Sequence, residues 1–111
     1  MRRGRDPSIL RDTGTFFGGY RRMIVMDREN IWARGWSHVL STTNDVDELR
    51  AFCSRVGAPA AALQLDNPRW PHLDLKLLPR QLALACPDVR VFERTSDMLR
   101  FLKALPVALK P

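Results

Sequence analysis

At 111 residues, with 45% hydrophobic side chains, the chain is sized for one domain that buries its own core. It contains no apolar run of the roughly 18 or more residues that a membrane span needs. The basic start Met1-Arg2-Arg3-Gly4-Arg5 leads into no apolar signal core. The reading is therefore cytoplasmic, with no membrane partner.

The net charge of +6 is unevenly placed. Residues 1–22 carry six arginines against Asp6 and Asp12, a net of +4, and the remainder carries only +2. A groove that tracks phosphates needs its positive charge on the folded body. Nucleic acid is thus expected, if anywhere, along residues 1–22. That segment holds Gly4, Pro7, Gly14, Gly18 and Gly19 with no sustained period, and reads as a flexible extension. Residues 23–111 read as a single α/β domain.

In chain order, Met23-Ile24-Val25-Met26 is a short apolar run that suits a strand buried on both faces, with Asp27 ending it. Arg28 to Asn44 reads as a long functional connection, since it holds two tryptophans and a histidine. Asp45 with Glu48 three residues on is a capping box that opens a helix. Val46, Leu49, Phe52, Cys53 and Val56 line its apolar face, and Gly57 stops it. Ala60 to Leu65 reads as a second strand with Asp66-Asn67-Pro68 as its exit turn. The segment Pro68-Arg69-Trp70-Pro71-His72-Leu73-Asp74-Leu75 reads as a second functional loop between prolines. Pro79 falls in the first turn of a second helix that runs to about Ala85, before Pro87. Val89 to Phe92 is a third strand. Ser96 caps a third helix whose face is Met98, Leu99, Leu102 and Leu105.

This order predicts a small three-layer β-α-β-α-β-α domain, Rossmann-like, with a short, mainly parallel three-stranded sheet. In such sheets ligands bind beyond the carboxyl ends of the strands. Those ends would deliver Asp27 with the tryptophan loop, Asp66 with the His72 loop, and Glu93-Arg94 to one edge. Cys53 and Cys86 sit in apolar helical patterns, as buried thiols do in a reducing compartment. A three-stranded sheet leaves edges that a dimer would cover, but no residue demands one.

Two residues apart, His72 and Asp74 point to one side of an extended segment. They are the candidate catalytic pair, the imidazole as acid-base group and the carboxylate as its orienter. With Asp27 and His38 they make a mixed oxygen and imidazole set of the kind that holds zinc, manganese or iron, so a divalent metal is the candidate cofactor. Trp32, Trp36 and Trp70 offer stacking surfaces, and Arg34, Arg69 and Arg80 offer anion contacts. With His38, these are the candidate contacts for a phosphate- or nucleotide-like ligand. The bland alternative is structural, with indoles lidding the sheet edge and arginines paired to aspartates. A Gly-rich phosphate loop and a Gly-x-Ser-x-Gly elbow are both lacking.

The strand ending in Asp27, then Trp32 and Arg34-Gly35-Trp36-Ser37-His38, followed by Pro71-His72-Leu73-Asp74-Leu75, resembles the bacterial and phage domain of unknown function 4031. The resemblance covers about Met23 to Leu105, with Leu73 where that family's Pro-His-Tyr-Asp signature has tyrosine. It implies that Arg80 stands at the family's basic position before the second helix. It locates a site without supplying an activity. Two functions follow as expectations: a domain that takes a small ligand or metal at the two loops, or a non-enzymatic accessory interaction protein that contacts a protein or nucleic acid through its tryptophan loop and basic N-terminus.

Overall fold

Apolar residues at successive positions of the central strands face opposite ways, so one mixed sheet carries two cores. The chain is described by a computed structural model at residues 16–17, 20–30 and 32–105. The five-stranded sheet is built from β3 (Ile24–Glu29), β4 (Trp36–Ser41), β5 (Leu63–Gln64), β6 (His72–Lys76) and β7 (Val89–Arg94), in the order β5-β6-β4-β3-β7. The helices are α1 (Val46–Arg55), α2 (Leu77–Ala85) and α3 (Thr95–Lys103). Ahead of the sheet, β1 (Phe16–Phe17) pairs antiparallel with β2 (Tyr20–Arg21). The expectation of a flexible extension over residues 1–22 otherwise falls largely outside the described residues. None of the described helices is long and apolar enough to cross a membrane.

One face of the sheet carries Ile24, Met26, Val39, Leu73, Leu75 and Val89, packed on Leu49, Phe52, Cys53 and Val56 of the α1 region and on Ala83 of α2. The other carries Val25 and Leu40, covered by Met98, Leu102 and Leu105 of the α3 region, with Trp70 and Phe92 alongside. α3 packs on β3 and β7. Among the described residues no helix packs on the β4–β6 half of that second face.

The sheet corrects the expected topology. Three of its four pairings are antiparallel, and only β3 and β7 run parallel. A doubly wound, Rossmann-like arrangement is therefore not what forms; β3 and β7 do end at one edge as expected, but β5 runs opposite to them, so Asp66 does not join that edge. Two segments read as loops are strands. Asp27 does not end β3, because the chain runs on to Glu29 and turns back into β4 as a hairpin. Gly35 at φ 85° and an Asx turn, in which the Trp32 amide donates to Asn30 Oδ1 at 2.7 Å, make that reversal. His72 to Lys76 alternates outward polar and buried apolar side chains, which is a half-buried strand despite its flanking proline. The segment expected as the second strand starts as a 3-10 turn over Ala60–Ala62, since alanine has little β preference, and only Leu63–Gln64 pair.

The first helix forms as its cap implies. The Glu48 amide donates to Asp45 Oδ1 at 3.2 Å, while the Glu48 carboxylate accepts from Ser41 Oγ at 2.7 Å rather than reaching back to the cap. Gly57 follows at φ 72° with open space where a Cβ would point. Gly57→Ala should therefore cost about 1 kcal/mol through backbone strain alone, read as a shift in urea midpoint at constant m-value. The third helix begins at Thr95, one residue before the expected Ser96 cap. The Thr95 hydroxyl is committed to Asp27, and a buried charged acceptor outcompetes a local cap. Cys53 is buried and Cys86 half-buried, both free thiols, and burial pushes the Cys53 thiol up from its usual range.

Candidate metal centre

Strand register brings the two polar segments together. His38 on β4 lies directly opposite Asp74 on β6, and His72 is two residues from Asp74. All three therefore share one face of the sheet, in the half that α3 leaves uncovered. One donor atom from each of His38, His72 and Asp74 lies within 4.8 Å of the others. All three side chains are half-buried, shielded from bulk water yet accessible.

Each imidazole is held in a defined tautomer by a partner on its Nδ1. His72 Nδ1 lies 2.9 Å from the Trp70 carbonyl, which can only accept, so this nitrogen carries the proton. His72 Nε2 then faces Asp74 Oδ1 at 3.4 Å. The paired Asp74 carboxylate holds the His72 imidazolium above its usual range, more than burial lowers it, with further help from the Trp70 carbonyl. His38 Nδ1 lies 2.9 Å from Asp27 Oδ2, and its Nε2 lies 3.0 Å from Asn30 Nδ2. Because Asn30 Oδ1 already accepts from the Trp32 amide, Nδ2 is the donor and His38 Nε2 the acceptor. A carboxylate or carbonyl behind Nδ1, with Nε2 turned to the site, is how metal-binding histidines are oriented.

Asp27 stands behind this centre rather than in it. It is fully buried and accepts from the His38 amide at 2.7 Å, the His38 ring and the Thr95 hydroxyl at 2.5 Å. Burial would raise its carboxyl, but these hydrogen bonds outweigh that and hold it below its usual range. With its oxygens so engaged, Asp27 orients His38 and is not grouped with the three donors.

Compared with protein-family models, curated proteins and solved structures, the chain matches none.

The aromatic candidates divide. Trp32 stands edge-on to His38, ring centres 6.0 Å apart, and is 71% exposed. With Trp70, Leu40, Met98, Leu99 and the two imidazoles it lines a cavity of about 230 Å³. Trp36 lies on the same face of β4, its ring beneath Lys76 Nζ at 4.8 Å, and with Asp74 it lines a second hollow of about 270 Å³ that the two imidazoles do not line. The arginines do not converge. Arg34 is exposed in the β3–β4 turn, and Arg69 is exposed, its backbone tied to Asn44 and Asn67. Arg80 reaches Ser37 Oγ at 2.9 Å and the Arg28 carbonyl, on the sheet face opposite His38. It is a clamp between α2 and the hairpin. Arg80→Ala should cost about 1–2 kcal/mol, read as a lower midpoint in chemical unfolding.

Sequence reasoning missed Asn30 and Thr95. Asn30 lies eight residues before His38 and meets it only because the hairpin closes. Thr95 reaches Asp27 across 68 residues, so no local pattern reports it.

Proposed function

We propose that the domain is a single-ion metal site built on a sheet face, with His38 Nε2, His72 Nε2 and one Asp74 oxygen as protein ligands. The supporting observation is that both imidazoles carry an Nδ1 partner while their donor atoms and a carboxylate lie within 4.8 Å. Two imidazoles and one carboxylate suit zinc, manganese or ferrous iron, and zinc most readily accepts three protein ligands with one position left open. Asn30 Nδ2 would yield its place on His38 Nε2 to the ion. The ion would supply Lewis-acid chemistry, while Asp27 and the Trp70 carbonyl fix the rings and the cavity beside them receives a ligand.

The motifs Arg34-Gly35-Trp36-Ser37-His38 and Pro71-His72-Leu73-Asp74 each contribute a donor to this centre. We offer membership of the domain of unknown function 4031 on those residues alone. The test of the metal site is calorimetric titration of chelator-stripped protein with zinc. One ion per chain in wild type, and none in His72→Ala, is the expected result. Equal uptake by both would remove His72 from the site.

The accessory-interaction reading is favoured by one observation, the 71% exposure of Trp32. It requires that removal of residues 1–22 abolish association with a partner, and that association weaken steeply with salt if the partner is nucleic acid. Association untouched by that deletion would count against it.

A further inference from the structure

The cavity beside the imidazoles is small and apolar, which restricts what it admits. Its volume of about 230 Å³ equals that of about eight liquid waters, below the roughly 300–1,000 Å³ of sites for larger ligands. None of the arginines expected to hold a nucleotide's phosphates is among its described lining, and Arg80 is spent on the opposite face. The apolar part of its lining is Trp32, Leu40, Trp70, Met98 and Leu99, and His38, His72 and Thr95 belong to the polar part. Lys103 lines the cavity as well, the one lysine or arginine among the described residues that does so. A tryptophan left 71% exposed beside such a hollow is costly to hydrate and available to stack on a ring.

We infer that the site takes a single-ring aromatic ligand bearing a compact anionic oxygen-donor group, such as a carboxylate or hydroxamate. The ring occupies the cavity that Trp32 and Trp70 help line, and the oxygens meet the ion held by His38, His72 and Asp74. The inference rests on the metal reading above. It adds that recognition comes from ring burial rather than from phosphate contacts.

Two probes separate the ring from the donor. Benzohydroxamate and acetohydroxamate present the same two oxygens, with and without the ring. Titrated calorimetrically into zinc-loaded full-length protein, benzohydroxamate should bind at least about tenfold more tightly, as burial of an aromatic ring allows. Trp32→Ala should remove most of that difference while zinc uptake stays as in wild type. Equal affinities of the two probes, or a difference that survives Trp32→Ala, would overturn the ring assignment and leave the metal site standing. Failure of the protein to take up zinc would overturn both.

Discussion

Asp27→Ala is expected to destabilise the domain by about 3–5 kcal/mol, the largest effect of any single substitution proposed for this chain. The carboxylate is fully buried and accepts from the His38 amide, the His38 ring and the Thr95 hydroxyl. Removing it strands three donors and leaves a void between β3, β4 and the start of α3. For a domain of this size each kcal/mol moves the melting temperature by about 4–8 °C, so the loss is readily measured. Urea unfolding should show a lower midpoint with an unchanged m-value. A change below about 1 kcal/mol would mean that the network is not what joins the hairpin to α3.

The sign of the pH dependence follows from the same carboxylate. Its pKa is lowered in the folded state, so its contribution is present above the unfolded value of about 3.9 and is lost as pH falls through the folded value. Wild type should therefore exceed Asp27→Asn most at neutral pH, and the gap should close in acid below about pH 4.

The second large effect is that of zinc on stability. An ion at about 100 times its dissociation constant adds about 2.7 kcal/mol to a state that binds it. At about 4–8 °C per kcal/mol, this raises the melting temperature by roughly 10–20 °C. His72→Ala should melt near wild type without metal, since His72 is half-buried at the rim and outside the Asp27 network, and should gain nothing from zinc. His38→Ala is the less informative variant, because it also breaks the contacts to Asp27 and Asn30. A zinc-dependent shift retained in His72→Ala would place the ion elsewhere.

Local signals in the sequence carried the helices well. Asp45, Glu48 and Gly57 bounded α1, and Pro79 in the first turn with Pro87 beyond the end marked α2, because caps and prolines act within a few residues. Strand order was not legible in the same way. Reading β4 as loop made the sheet look parallel, since a strand carrying Trp36, Ser37 and His38 shows no apolar alternation. Its positions on the second face lie on the half that no described helix covers, since α3 packs over β3 and β7. The alternation in His72-Leu73-Asp74-Leu75-Lys76 was visible, but the prolines on either side of Trp70 outweighed it. Pro71 precedes the strand, where its missing amide breaks no ladder bond.

The candidate site was legible as residue types, not as geometry. His38, His72 and Asp74 attracted attention because histidine beside aspartate is chemically expressive. Their meeting, however, depends on the antiparallel register that sets His38 against Asp74. Arg80 illustrates the converse. Its charge suggested an anion contact, and the helix phase of α2 instead turns it to Ser37 on the other face.

The most direct test of the central claim is a crystal structure of the zinc-loaded protein. It should show one ion about 2.0–2.2 Å from His38 Nε2, His72 Nε2 and an Asp74 oxygen, with the Asn30 amide displaced. An ion bound at other residues, or His38 Nε2 still paired with Asn30 at saturating zinc, would contradict it.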